Sequence, residues 1–316
     1  MALHEGLLVT RHFLDVDDLS EEELEEVLAL SAVAPVVLGS VLAGRGAALV
    51  FEKPSARTRS STELAVTALG GHPVYIQGGE VGFDSRETVE DVARTLACYH
   101  SVLCARVFQH GTLRRMTAAL DAQGASVPVV NLLSDIAHPC QALADLLTMQ
   151  ELFGRLEGLT VAYVGDANNM WSSLSKACVM SGVEIRLAAP SEYQPPPSQV
   201  DALLERGGKV TVTSDPESAV SGADVIYTDV WTSMGQEEEA QARRKAFAGY
   251  TVDDALVAKA PDKAVVLHCL PAHRGEEISA SVLDGPRSQV WKDAENRLHA
   301  MRGLLAFLLG VRSPVE

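Results

Sequence analysis

Along the chain, short apolar runs alternate with stretches in which apolar positions recur three or four residues apart, the pattern of strands alternating with helices. The first helical stretch opens at Ser20-Glu21-Glu22-Glu23, which fits a capping box, and its leucines and valines carry it to about residue 33. Residues 46–51 (Gly-Ala-Ala-Leu-Val-Phe) read as a buried strand, and residues 58–69 as a helix stopped by Gly70-Gly71. Further strands are expected near 73–77, 102–108 and 127–131, with helices near 87–99 and 112–123. A long helix at 141–153 leads into a second series, with strands near 159–164, 183–188, 209–213, 224–228 and 264–268. That series has a helix near 169–181 and ends in an amphipathic helix over 293–309. Gln194-Pro195-Pro196-Pro197 reads as a surface loop, and the polar run Gly235–Arg244 as exposed and mobile.

Strands separated by helices call for parallel sheets covered on both faces. The pattern therefore predicts an α/β protein of two doubly wound parallel-sheet domains with an active-site cleft between them. The expected boundaries are 1–137 for the first domain, 138–153 for a linking helix and 154–292 for the second domain. The C-terminal stretch 293–316 should pack back on the first.

Composition supports this division. A chain of 316 residues, 47% of them hydrophobic, has material for two buried cores. The net charge of −16 argues against nucleic acid and anionic membranes as partners, since both demand a positive face. A phosphorylated small molecule remains possible if cations are concentrated locally, as Lys53, Arg57 and Arg59 are. The five cysteines form no CxxC pair, which fits reduced thiols in a cytosolic protein. The first twenty residues carry no signal-peptide pattern, and no apolar stretch approaches the ~20 residues that span a bilayer. A cytoplasmic protein is expected.

Candidate chemistry collects where strands end. At Phe51-Glu52-Lys53-Pro54-Ser55-Ala56-Arg57-Thr58-Arg59 a strand turns into a helix start, where free N–H groups and the helix dipole favour an anion. Ser55 and Thr58 add hydroxyls, and Arg57 a planar fork that matches phosphate oxygens. A capped helix with solvated arginines accounts for the same residues. His138-Pro139-Cys140-Gln141 offers an imidazole and an amide that can polarise a carbonyl and hold an amide, or simply a buried histidine beside a capped helix. Gly165-Asp166-Ala167-Asn168-Asn169 occupies the place of a dinucleotide fingerprint but lacks G-x-G-x-x-G, which disfavours a nicotinamide enzyme. One of the two asparagines is expected to cap the helix that follows. Asp229, just past a strand end, can answer an ammonium group or serve as a turn residue. At His268-Cys269-Leu270-Pro271 the adjacent His and Cys should point to opposite faces and so not act on each other, and a zinc site lacks a second cluster. Glu295-Asn296-Arg297 is read as opening the last helix, a poor place for a cation unless an outside partner answers it.

Taken in this order, from about residue 46 to residue 309, these pieces resemble the transcarbamylase family. Phe51–Arg59 resembles its carbamoyl phosphate loop, Ala105-Arg106-Val107 the arginine that follows, and His138–Gln141 its His-Pro-x-Gln element. Asn168-Asn169, Asp229–Gly235 with its Ser-Met-Gly, and His268–Glu277 resemble the ornithine branch. The resemblance implies transfer of the carbamoyl group of carbamoyl phosphate to the δ-amine of L-ornithine, without metal or organic cofactor, in a homotrimer or a multiple of trimers. It implies Arg57, Arg106, His138 and Cys269 as catalytic residues. Carbamoyl phosphate would be held by Ser55, Ala56, Arg57, Thr58, Glu80, Arg106, His138, Gln141, Cys269, Leu270 and Arg297, and ornithine by Asn169, Asp229, Ser233 and Met234. Two departures stand out. Ala56 replaces a usual threonine and removes one hydroxyl from the phosphate site. Residues 79–86 are unusual for the loop that family members extend toward a neighbouring subunit.

Overall fold

The computed structural model describes residues 10–232 and 237–313. Its strands are β1 (Gly46–Phe51), β2 (His72–Gln77), β3 (His100–Arg106), β4 (Val129–Leu133), β5 (Thr160–Val164), β6 (Glu184–Ala188), β7 (Val210–Thr213), β8 (Val225–Thr228) and β9 (Val265–His268). They form a four-stranded sheet in the order β2-β1-β3-β4 and a five-stranded sheet in the order β7-β6-β5-β8-β9, with every pairing parallel. The backbone divides into two compact units. One is the chain up to Cys140 with the stretch from Leu298 onward; the other is Gln141–Arg297.

In the first unit β1 and β3 lie at the centre of the sheet, and the strand order reverses between them. One face is packed by Ala48, Val50, Leu103 and Ala105 against Val89 and Ala93 of the helix Val89–Ala97 and Leu113, Met116 and Leu120 of the helix His110–Gln123. The capping box at Ser20 forms as the sequence predicts. Ser20 Oγ accepts from the Glu23 N–H at 3.2 Å and Glu23 Oε2 accepts from the Ser20 N–H at 2.9 Å, starting the helix Glu21–Ala32. Near the other end of that helix, buried Arg302 donates to the carbonyls of Ser31 at 3.0 Å and Val33 at 2.6 Å, supplying donors that the last turn cannot find within the helix.

In the second unit the order reverses between β5, buried along its whole length, and β8. On one face Tyr163 and Tyr227 stack at 5.4 Å and Trp171 meets Tyr163 edge-on at 5.6 Å. Ala162, Val164, Ile226 and Val266 are buried with Trp231, Phe247 and Val290 in a second cluster.

Three expectations are corrected. Pro197 is not loop: it sits in the first turn of a helix, Pro197–Glu205, where its missing N–H costs nothing. The polar run after Gly235 is not all exposed. Arg243, in the helix Ala240–Ala246, is buried because Asp166 and Glu239 accept from it at 2.7 and 3.0 Å and the Tyr193 ring lies beneath it. The last helix begins at Val290 rather than at Glu295, so Arg297 stands two turns inside Val290–Leu308 and its charge needs an answer from the interior.

Candidate functional site

In open parallel sheets, ligands bind beyond the carboxyl ends of the strands where the strand order reverses. In the first unit that point is the end of β1 and β3, where Phe51 pairs with Arg106. The Glu52 N–H donates to the Arg106 carbonyl at 2.9 Å, and Glu52 Oε2 accepts from the Phe108 N–H at 2.9 Å, so the two strand exits are tied together. Ser55 is the N-cap of the helix Ala56–Ala68: its Oγ accepts from the Thr58 N–H at 3.4 Å and donates to Thr58 Oγ1 at 3.1 Å. The N–H groups of Ala56 and Arg57 in this first turn have no acceptor within the helix. Arg106 and Thr58 are buried, while Arg57 is exposed. The three cations expected here differ in use. Arg59 is engaged by Glu63 at 2.8 Å and lies 3.8 Å over Tyr75, and Lys53 sits 4.7 Å over Phe108. Arg57 takes no side-chain partner among the described residues.

Glu80 caps its own loop: its Oε1 accepts from the Gln77 N–H at 3.0 Å, starting the short helix Gly78–Val81. The unusual stretch around it is held within its unit by Arg115, which binds Asp84 at 2.6 and 2.9 Å and Glu90 at 2.7 Å.

His138 is buried just before the helix Pro139–Phe153, and Cys140 Sγ donates to the Asn131 carbonyl at 3.2 Å, fixing the start of that helix on β4. Gln141 is fully buried. Its Nε2 donates to Asp145 at 2.9 Å and to Asp293 at 2.8 Å, and its Oε1 accepts from Arg297 Nη1 at 2.5 Å. Arg297 Nη2 is buried with no hydrogen-bond partner among the described residues. Neither aspartate is a candidate from the sequence, although both lie one helical turn from a site residue: Asp145 follows Gln141 by four positions and Asp293 precedes Arg297 by four.

The ends of β5, β8 and β9 supply the other set. Asn168, not Asn169, is the helix cap: its Oδ1 accepts from the N–H groups of Met170 at 2.8 Å and Trp171 at 3.2 Å. Its amide donates to Asp229 Oδ2 at 2.9 Å, while Asp229 Oδ1 accepts from the Val230 N–H at 2.8 Å and from Cys269 Sγ at 3.0 Å. Asn169 follows in the first turn. Burial, with Asp229 beside it, pushes the Cys269 thiol well above its ordinary range, so it stays protonated near neutral pH. Brief treatment with iodoacetamide at pH 8, followed by mass mapping, is expected to label exposed Cys98 and leave Cys269 unmodified; labelling at Cys269 first would contradict this environment.

The ring of His268 is bonded to Glu277 and to the backbone just past its own strand. Its Nδ1 accepts from the Leu270 N–H at 2.8 Å, so Nε2 carries the proton and donates to buried Glu277 at 3.1 Å. The ligand atoms of Asp229, His268 and Cys269 lie within 4.8 Å of one another, but each already holds a hydrogen bond, and a metal would have to break these. Leu270 has φ of 57° and precedes a cis Pro271. Ser233 and Met234 lie outside the described residues.

Two family models match the chain in succession. The family model for the aspartate/ornithine carbamoyltransferase carbamoyl-P binding domain matches residues 11–151, and that for the Asp/Orn binding domain matches residues 157–308. An ornithine carbamoyltransferase of Acidothermus cellulolyticus is 52% identical over 306 residues, covering 95% of this chain and 96% of the relative. One of Methanocorpusculum labreanum is 45% identical over 304 residues, covering 95% and 98%. The structure of ornithine carbamoyltransferase from Pyrococcus furiosus superposes with a TM-score of 0.89 at 41% identity, covering 96% of this chain and 99% of that one. With both family models matched in order across almost its whole length, the chain belongs to the aspartate/ornithine carbamoyltransferase family.

Proposed function

We propose that the chain transfers the carbamoyl group of carbamoyl phosphate to the δ-amine of L-ornithine, giving L-citrulline and phosphate. The observation that carries this reading is that each unit holds its own prepared set of groups at its strand ends. A cationic helix start lies at the end of β1, and a buried carboxylate, Asp229, is oriented by Asn168, Val230 and Cys269 at the ends of β5, β8 and β9. The relatives' own names point the same way.

In this reading the phosphate is bound by Ser55, the Ala56 and Arg57 N–H groups, Thr58, Arg57 and Arg106. The carbamoyl oxygen receives donors from Arg57, His138 and Arg297, and Gln141 Oε1, which has a second lone pair, accepts from the carbamoyl NH2. Asp229 answers the α-ammonium of ornithine, with Asn169, Ser233 and Met234 around its amino-acid end. Cys269 and the Leu270 carbonyl orient the δ-amine. That amine has a solution pKa of ~10.4, like lysine, and must lose a proton before it attacks. Its lone pair forms the C–N bond, and the negative charge that develops on oxygen is met by fixed donors. Collapse breaks the bond from carbon to the bridging oxygen, and the departing phosphate takes the amine proton. The reading includes a cytoplasmic homotrimer or multiple of trimers, which light scattering tests. Among the described residues no helix is long and apolar enough to cross a membrane.

Asp229→Asn tests the acceptor half. It keeps the shape but removes the charge that pairs with the α-ammonium, a charge-assisted hydrogen bond whose loss is expected to raise the KM for ornithine about 100-fold. The KM for carbamoyl phosphate should change less than about threefold, because uniform binding of one substrate is what was removed. An unchanged KM for ornithine would sink the assignment of Asp229.

A further inference from the structure

Gln141 is held by two carboxyl groups that the reaction itself does not call for. Asp145 and Asp293 are both buried, and both accept from the same Gln141 nitrogen. Two ionised carboxylates so close in a dry interior repel each other, and the arrangement persists when they share one proton. Burial pushes both acids up, Asp293 to about 6 and Asp145 well above the ordinary carboxylate range. Asp145 Oδ2 is buried with no hydrogen-bond partner among the described residues, so a negative charge there would be left unanswered. Ionised Asp293 then balances Arg297, four residues on along the same helix. Tyr227 donates to Asp145 Oδ1 at 3.4 Å, and the Thr148 hydroxyl shares its one proton between the Ala144 carbonyl at 2.8 Å and Asp293 Oδ1 at 3.3 Å. Asn296 donates to Thr148 at 3.0 Å and to Glu151 at 2.9 Å, and Lys292 pairs with Glu151 at 3.1 Å and Glu295 at 3.2 Å toward the surface.

We propose that Asp145 and Asp293 are positioning residues for the transfer: they grip the Gln141 amide, turn its Oε1 onto Arg297, and so hold the uncommitted Nη2 of Arg297 ready for the carbonyl oxygen of carbamoyl phosphate. The guanidinium is thereby fixed before substrate arrives. The two acids have unequal tasks: Asp145 serves as a neutral acceptor for Gln141, Asp293 as the charge that balances Arg297. This rests on the carbamoyl-transfer reading above.

Steady-state citrulline formation by Asp145→Asn, Asp293→Asn and Thr148→Val, with thermal melts to check folding, tests it. Asp145→Asn imitates the protonated acid and should keep kcat within about threefold, whereas Asp293→Asn should cut kcat about 100-fold, the loss expected when one oxyanion donor is displaced, with the KM for ornithine within about threefold. Combined with Arg297→Ala, Asp293→Asn should cost no further activity, since both remove one interaction. Thr148→Val removes only one hydroxyl from Asp293 and should lower kcat about fivefold, which keeps the test open if Asp293→Asn does not fold. Equal kcat losses in Asp145→Asn and Asp293→Asn, additive losses with Arg297→Ala, or an unchanged kcat in folded Asp293→Asn or Thr148→Val would overturn the proposal. Failure of the unmodified protein to form citrulline would instead overturn the transfer reading on which it stands.

Discussion

Arg57→Ala should lower citrulline formation by about a thousandfold, at the upper end of what one preorganised donor to a developing oxyanion contributes, because the proposed function has the same guanidinium also bind the phosphate. The size of the effect follows from where Arg57 stands. Its neighbours in the same turn are already occupied: Ser55 and Thr58 bond each other, and Arg59 is held by Glu63 and Tyr75. Arg57 is exposed in the first turn, beside N–H groups with no partner inside the helix. Because its side chain has no bonded partner among the described residues, its removal should leave the melting temperature nearly unchanged, surface substitutions of this kind falling within about 0.5 kcal/mol. Near-normal turnover in a folded Arg57→Ala protein would remove this residue from the transfer chemistry.

Gly303→Ala should destabilise the protein by about 3 kcal/mol, although alanine is favoured over glycine within a helix by about 1 kcal/mol. Gly303 lies inside the helix Val290–Leu308, where a Cβ would sit 2.1 Å from Ser31 Oγ, 2.6 Å from Ser31 N and 2.8 Å from Ser31 Cα. The hydroxyl could swing away, but it is held by the Val27 carbonyl at 2.7 Å, and the backbone atoms cannot move without shifting the helix Glu21–Ala32. Arg302 would lose its grip on Ser31 and Val33 in the same shift. A melting temperature at or above that of the unmodified protein would show that the approach relaxes more easily than packing of backbone against backbone allows.

What is legible in the sequence, and what is not, follows from the range of the interactions. The parallel strands are readable because each is a short apolar run ended by a polar turn. The candidate residues at strand exits can be named because ligand chemistry in such sheets gathers there, whereas the points where the strand order reverses appear only in the fold. The cap at Ser20 is a local code of four residues and forms as written. The start of the last helix is hidden because Trp291 is exposed and Lys292 forms surface ion pairs, so the apolar stripe shows its period only later. Arg297 therefore reads, wrongly, as standing at a helix start, and its true partner, Gln141, is distant in the chain. Arg243 reads as part of a solvated charge run for the same reason: the carboxylate that buries it, Asp166, belongs to the turn after β5. Asp145 and Asp293 carry no mark in the sequence beyond their one-turn spacing from Gln141 and Arg297, and only the fold brings them onto one nitrogen. The carbamoyl phosphate and ornithine assignments come from the ordered resemblance, which the two family models match along the chain.

The central claim is that the acceptor is an amine carried by an amino acid, recognised at Asp229. Its most direct test is colorimetric detection of the carbamoylated product after incubating the purified protein with carbamoyl phosphate and, in turn, ornithine, putrescine, lysine and aspartate. The account predicts rapid product formation with ornithine and at least about 100-fold lower kcat/KM with the other three, the discrimination expected when a buried polar group is left without its partner. Equal or faster carbamoylation of putrescine or aspartate, or no product from any of the four, would contradict it.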